Sequence, residues 1–291
     1  MTAGAGRAVR LWLFAALYGM LIVASVVSFV RAGDLQFGRK PLQNLARTLD
    51  ELSRPSFIDA WRGERAFAYR DDSGRVLRVE DRRAAERDYL WGLLEATWTT
   101  LKVATLGSLI AAVAALPFGV ITARNMLAPR WAAAPARLLL DAARAIHALV
   151  FGLLLVGIIG LGPMAGILAI AFHSFGTYGK LYAEAIETVD RRLINAGLVL
   201  GMTPLQTLVH ALPRTMLPQA LGIHLYIWEF NVRDSTVLGL IGVGGIGLLV
   251  SEAVSLFQWG RLATLLLAIV ALVTAFDRIS RRVRAELAAR H

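Results

Sequence analysis

Cysteine is absent from the 291-residue chain, which excludes disulfide bonds and cysteine-ligated metal sites. Charge is also scarce, because Asp, Glu, Lys and Arg make up only 18% of the residues whereas 56% are hydrophobic. A soluble domain carries about 25% charged residues, and here the apolar residues are gathered in long runs. The sequence therefore predicts a polytopic membrane protein.

The formal net charge is +10. A basic balance of this size also occurs in nucleic-acid-binding proteins, but the basic residues here stand between the apolar runs. That placement is typical of membrane topology, since positive residues mark the cytoplasmic ends of spans. We therefore expect the protein to lie in a lipid bilayer and not to bind nucleic acid.

We predict six membrane spans, because about 20 apolar residues cross a hydrocarbon core about 30 Å thick. Arginines at 124–137 and 278–284 mark one side, which places both termini in the cytoplasm. The first span is interpreted as retained, because its run exceeds the signal-peptide core of about 7 to 15 residues. The predicted spans cover residues 11–30, 103–123, 138–160, 163–178, 217–240 and 259–276.

Residues 31–89 are polar and form a predicted insertion outside the cytoplasm. Leu42, Leu45 and Leu49 have helical spacing, and alternation over residues 67–79 around a turn predicts a β-hairpin. A solvated cap is favoured over a dedicated binding module. The predicted division is a tail and first span at 1–30, the insertion at 31–89, the transmembrane domain at 90–282 and a basic tail at 283–291.

Three kinds of catalytic motif are missing. No G-x-x-x-x-G-K-[ST] loop is present, so the chain is not expected to hydrolyse ATP by the P-loop route. The five histidines lack H-E-x-x-H spacing, and no G-x-S-x-G elbow occurs. We expect no metal site, no cofactor in this chain and no enzymatic activity, so that any energy must come from another subunit.

The polar segment 184–218 interrupts the apolar C-terminal part of the chain. Two short helices are predicted to meet at Gly201, because glycine readily adopts the left-handed conformation that closes a helix. Thr203 is the predicted N-cap of the second helix, with Pro204 at its first position and Gln206 completing a capping box. Pro213 is predicted to end it. A loop of fixed shape suits mechanical contact with a partner protein.

The same segment carries a family resemblance. The run Asn195-Ala196-Gly197-x-x-x-Gly201, followed by two Leu-Pro pairs, resembles the EAA coupling loop of bacterial ATP-binding-cassette importer permeases. Residues 179–187, 229–233 and 236–247 narrow the resemblance to phosphonate-type importers, and it extends from about Thr97 to Arg282. Asn195 and Gly197 replace the usual Glu and Ala.

The resemblance implies an all-α, multi-pass fold of the type I importer permease class in a bacterial inner membrane. It implies two ATPase subunits that hold ATP and Mg²⁺, a second permease copy or homologue, and an extracytoplasmic substrate-binding protein. It further implies transport of phosphonate or of phosphate or phosphite. The residues implied in ATPase coupling are Asn195, Ala196, Gly197, Gly201, Thr203, Pro204, Gln206 and Pro213.

The fifth predicted span carries ionisable residues, which are costly at membrane depth unless they are paired or face a polar path. Glu229 and Arg233 have the i, i+4 spacing of a helical ion pair. The pair is either architectural or part of a substrate path, since a guanidinium can bind an oxyanion through two hydrogen bonds. The predicted path comprises Glu229, Asn231, Arg233, Ser235, Thr236, His173 and Ser174.

A glycine-rich run follows this span. It formally fits G-x-G-x-x-G, but a nucleotide site would need a preceding strand and a βαβ unit. Close helix approach or a movable re-entrant turn is the favoured interpretation. The predicted gate comprises Gly242, Gly244, Gly245 and Gly247.

A second hypothesis from another class is a polytopic membrane enzyme or assembly factor that acts on a lipid or its headgroup through the polar residues of the fifth span. A permease predicts co-purification with an ATPase, and an enzyme does not. A secondary transporter is disfavoured, because it would show broken helices in repeated halves.

Overall fold

A computed structural model describes residues 3–32, 41–63, 67–70, 76–125, 130–189, 192, 199–202, 206 and 213–289. The chain forms two compact units, Met1–Asp50 and Glu51–His291. The first unit contains helix α1, Ala3–Ala32, and most of helix α2, Pro41–Leu52. The apolar face of α2 is exposed at Leu42 and Leu49, which confirms the predicted amphipathic helix.

The second unit begins with the rest of the polar insertion. A 3₁₀ turn, Ser56–Ile58, leads into the short helix α3, Asp59–Arg62. Strands β1, Phe67–Arg70, and β2, Val76–Glu80, pair antiparallel, which confirms the predicted hairpin. The Nε atom of Arg87 donates to the carbonyl of Ala60 at 3.2 Å, so this part of the insertion is tied to the next helix.

Helix α4, Arg82–Thr122, is longer than the predicted second span. Asp81 caps it by accepting hydrogen bonds from the main-chain N–H groups of Arg83 and Ala84 at 2.9 and 3.2 Å. Its 41 residues reach about 60 Å at 1.5 Å per residue, roughly twice the hydrocarbon thickness. The helix therefore continues beyond the membrane into the insertion.

The third predicted span, residues 138–160, is not one helix. Helices α5, Arg130–Ala145, and α6, Ala148–Ile159, meet at a bend of 88°. His147 caps α6, since its Nδ1 accepts the main-chain N–H of Leu149 at 3.2 Å. The predicted span is therefore broken, and the bend was not predicted because residues 146 and 147, which form it, are neither glycine nor proline.

The remaining helices follow the predicted order. Helix α7 spans Pro163–Glu187 and α8 spans Pro213–Leu238. A π-helical turn, Gly239–Val243, and helix α9, Ile246–Ser255, lead to the last helix. Helix α10 spans Trp259–Ala289.

Three of the described helices, α1, α4 and α10, are long and apolar enough to cross a membrane by themselves. If each of the bent pairs, α5 with α6 and α8 with α9, is one span, the number among the described residues rises to five. Helix α7 contains the predicted fourth span. It is long enough to cross a membrane, but it is not among the helices that are also apolar enough. A polytopic, almost entirely helical membrane protein is confirmed.

The centre of the second unit is formed by α4, α7 and α8. Small residues bring α4 and α7 together, because a Cβ at Gly107 would lie 2.8 Å from Ile170 and one at Gly119 would lie 2.7 Å from Tyr182. Close approach through small residues is typical of membrane helices, where lipid removes the hydrophobic driving force for association.

Candidate translocation path and coupling segment

The predicted coupling segment, residues 184–218, is described only in part. Gly201 has a φ of 75°, which confirms the predicted left-handed helix end. Gln206 is helical, and Pro213 is the first residue of α8. The other predicted coupling residues, Asn195, Ala196, Gly197, Thr203 and Pro204, lie outside the described residues.

The chain entering this segment is fixed to the end of α4. The Glu187 carboxylate accepts the main-chain N–H of Arg124 at 2.8 Å, and the Asn125 side chain donates to the Ile186 carbonyl at 2.6 Å. Val189 is buried against Ala123 and its neighbours. The start of the segment is therefore held against the ends of α4 and α7.

Two predicted path residues join helices inside the bundle. The Asn231 side chain of α8 donates to the Ser108 hydroxyl of α4 at 2.8 Å and accepts from the Ser174 hydroxyl of α7 at 3.0 Å. All three side chains are buried. Their mutual hydrogen bonds satisfy most of their polar atoms, so the geometry assigns them a helix-joining role first.

Ser235 and Thr236 are also buried and satisfied locally. The Ser235 hydroxyl donates to the Thr100 carbonyl at 3.0 Å, and the Thr236 hydroxyl donates to the Arg233 carbonyl at 2.7 Å. The Ser235 bond joins the end of α8 to α4, whereas the Thr236 bond lies within α8.

The predicted ion pair is present but shared. Arg233 Nη2 lies 3.8 Å from the Glu229 carboxylate, and Arg284 Nη2 of α10 lies closer, at 3.3 Å. The Glu229 side chain is 15% exposed, whereas that of Arg233 is 50% exposed. The Arg233 guanidinium is thus held loosely and remains accessible, while Glu229 is neutralised mainly by Arg284. Sequence reasoning placed Arg284 in the basic tail and missed this contact.

A second ionisable cluster was predicted only in part, because His173 was assigned to the path whereas His147 and Asp234 were not. Asp234 is only 8% exposed, and its Oδ2 has no hydrogen-bond partner among the described residues. The carboxylate interacts electrostatically with His147, His173 and Arg233. The two imidazole rings are 5.7 Å apart. Asp234 follows Asn231 by three residues. This helical spacing places both on one face of α8 and could have indicated that Asp234 faces the bundle interior.

The hydrogen bonds of the two histidines indicate which ring nitrogen carries the proton in each. His173 Nδ1 lies 2.7 Å from the Ile146 carbonyl and must donate its proton to it. His147 Nδ1 accepts the Leu149 N–H, so its proton sits on Nε2 when the ring is neutral. His147 therefore presents a donor beside α8, whereas neutral His173 presents an acceptor.

The glycine run forms a turn with tight backbone contacts. Gly242, Gly244 and Gly245 have φ values of 91°, 101° and 74°, a region that favours glycine. A Cβ at Gly247 would collide with the Thr236 carbonyl oxygen. The Ile246 N–H donates to the Thr100 hydroxyl at 3.0 Å. The turn interrupts the span between α8 and α9, with a bend of 56°, and its role as a gate stays a prediction.

Comparison with known proteins matches the chain to permease subunits of transport systems. Residues 115–288 match the family model of the binding-protein-dependent transport system inner membrane component. The chain is 39% identical over 181 residues to the phosphite transport system permease protein PtxC of Stutzerimonas stutzeri, covering 62% of this chain and 66% of that protein. It is 31% identical over 195 residues to the phosphate-import permease protein PhnE of Mycolicibacterium smegmatis, covering 67% of this chain and 37% of that protein.

The fold also resembles a solved transporter. An inward-facing structure of the MetNI methionine ABC transporter matches with a TM-score of 0.57 at 20% identity, covering 66% of this chain and 96% of that chain. Permeases of this family are transport subunits, so the enzyme hypothesis is not favoured. The chain belongs to the family of binding-protein-dependent transport system inner membrane components, the non-catalytic permease subunits of ATP-binding-cassette importers.

Proposed function

We propose that the chain is the membrane-spanning subunit of an ATP-driven importer that moves a phosphorus oxyanion, phosphite, phosphate or phosphonate, into the cytoplasm. The observation that carries this proposal is the sequence identity to permeases named for phosphite and phosphate import. An accessible guanidinium on a membrane helix agrees with it, because such groups bind oxyanions through parallel hydrogen bonds.

The solute would meet the polar edge of α8. Arg233 is half exposed and only weakly paired, so a ligand oxyanion can compete for it. The His147 Nε2 proton adds a donor, and the buried Asp234 carboxylate can accept from a protonated oxyanion. The combination favours a solute that carries both a charged oxygen and a P–OH group.

The partners follow from the family. Two ATPase subunits holding ATP and Mg²⁺ would contact the coupling segment 184–218 on the cytoplasmic side, where both termini also lie. A second permease copy or homologue completes the pore, and an extracytoplasmic binding protein delivers the solute.

Motion would pass through contacts between described residues. Closure of the ATPases pushes the coupling segment, and the Glu187 contact transmits the force to α4 and α7. The Asn231 hydrogen bonds carry it to α8. The glycine turn after α8 then changes at the outer end and opens the path. Both steps pass through hydrogen bonds of defined geometry, which resist sliding of one helix along another.

Uptake by vesicles tests the proposal. Vesicles containing the permease, its ATPase and its binding protein should accumulate phosphite, phosphate or an alkylphosphonate only when ATP is supplied to the ATPase. Sulfate, which lacks a proton at neutral pH, serves as the matched anion and should not be taken up. ATP-dependent uptake of an amino acid with none of the phosphorus oxyanions would overturn the assignment of the solute.

A further inference from the structure

Helix α5 crosses α7 through direct main-chain contact. A Cβ at Gly176 of α7 would collide with the Leu140 carbonyl oxygen and lie 2.6 Å from the Arg144 nitrogen. Helix α5 is bent by 88° from α6, so the two helices lie nearly at right angles to each other.

The two flanks of α5 differ in character, as expected for a helix lying in a membrane surface. Arg137, Asp141 and Arg144 line a cavity of about 440 Å³ on one flank, together with Arg124 and Lys180. The opposite flank lines an almost wholly apolar cavity of about 510 Å³ through Leu139, Ala142, Ala143 and Ile146.

The edge between these flanks is exposed and apolar. Trp131 is 81% exposed and Leu138 is 71% exposed. Large apolar side chains beside a charged surface match the headgroup boundary of a bilayer, where Trp is enriched. Helix α5 therefore presents exposed apolar side chains directly beside charged ones.

The lining of the charged cavity carries four cations, Arg124, Arg137, Arg144 and Lys180, and three carboxylates, Asp141, Glu184 and Glu187, so one positive charge is in excess. Asp141 pairs with Arg144 at 2.7 Å, and Glu184 lies 3.8 Å from Lys180. The Arg137 guanidinium donates twice to a main-chain carbonyl, that of Thr122, at 2.9 and 3.2 Å. Within the described part of the chain, neither Arg137 nor the Arg124 guanidinium pairs with a carboxylate.

We propose that this cavity binds the phosphate of an anionic phospholipid, such as phosphatidylglycerol, from the leaflet on the side of the coupling segment. Arg124 and Arg137 hold the phosphate, and the edge at Trp131 and Leu138 contacts the acyl chains. Free phosphate shares the headgroup chemistry, but it would leave this apolar edge uncovered. The proposal rests on the proposed function only in assigning this side to the cytoplasm.

Lipid occupancy would act on coupling. Glu184 and Glu187 line the same cavity and lie at the start of the coupling segment. A phosphate between Arg124 and Arg137 reduces the charge imbalance beside them and stabilises the junction of α4, α5 and α7. The anionic lipid is then a stabilising partner of the resting permease.

Native mass spectrometry of the delipidated full chain in detergent tests the proposal, with phosphatidylglycerol and phosphatidylcholine as probes. Each cation near a lipid surface contributes about 1 kcal/mol, so Arg124→Gln should weaken phosphatidylglycerol retention about fivefold. The double variant with Arg137→Gln should weaken it further, and Arg137→Lys should retain most of it. Arg278→Gln on α10 is the matched control and should have no effect.

Equal retention of phosphatidylglycerol by the double variant, or equal retention of phosphatidylcholine and phosphatidylglycerol by the unmodified chain, would overturn the proposal. Full displacement by inorganic phosphate would identify a free-anion site instead. The assay contains no ATPase and no transported solute, so its failure is distinguishable from failure of the proposed transport function.

Discussion

Ser174 of α7 donates a hydrogen bond to Asn231 of α8 at 3.0 Å, deep inside the bundle. Because Asn231 also donates to Ser108 of α4, one amide joins the three central helices. In a bilayer, polar contacts between helices position them where apolar packing alone would allow sliding. The relationship implies that α8 moves with α4 and α7.

Replacing Asn231 with leucine should destabilise the protein by about 1 kcal/mol, because Ser108 and Ser174 lose their shared partner. Thermal unfolding in detergent measures the change. Val237→Ala alters an exposed side chain on the same helix and should leave the midpoint nearly unchanged. Equal midpoints for Asn231→Leu and the unmodified protein would show that the amide contributes nothing.

Gly247→Ala should impair both stability and uptake, because the added Cβ would meet the Thr236 carbonyl oxygen and force α9 away from α8. Gly222→Ala is the matched control, since nothing lies within 4 Å of its added Cβ and it is helical. The control should be neutral or stabilise by about 0.5 to 1 kcal/mol, as alanine favours helix. Unimpaired uptake in Gly247→Ala would contradict the described turn.

Arg284→Gln should destabilise by about 1 kcal/mol, because Glu229 then keeps only the more distant Arg233. The double variant with Glu229→Gln should recover much of the loss, since no buried charge remains unpaired. A double-mutant cycle on unfolding midpoints measures the coupling. Additive effects of the two changes would mean that this ion pair has no energetic role.

Features specified by adjacent residues were predictable from the sequence. The hairpin follows from alternation around a turn, and the left-handed Gly201 follows from helix-ending chemistry. The amphipathic helix α2 follows from its leucine spacing. In each case the residues that define the conformation lie within a few positions of one another.

Features specified by distant contacts were not predictable. The bend between α5 and α6 lacks glycine and proline, and the main chain of α5 lies against Gly176, a residue far away in the sequence. The Arg284 contact with Glu229 spans 55 positions. The cluster of His147, His173 and Asp234 forms only when three helices meet. Hydropathy reports which segments are apolar and contains no information on these pairings.

Arg233→Lys should raise the KM for the transported oxyanion about tenfold with a smaller change in the maximal rate, because lysine cannot form two parallel hydrogen bonds. Arg278→Lys is the control. Vesicle uptake at varied phosphite concentration measures both quantities. Unchanged uptake and selectivity in Arg233→Lys would show that this guanidinium does not bind the solute on its path.

The chain has no cysteine, so a Gln206→Cys variant would carry a single thiol in the permease. Cross-linking this position in the assembled importer tests most directly whether the segment contacts the motor. We predict a cross-link to the ATP-hydrolysing subunit whose yield changes between nucleotide-free and ATP-bound states. Labelling of the introduced thiol only from the extracytoplasmic side, with no cross-link to an ATPase, would contradict the account.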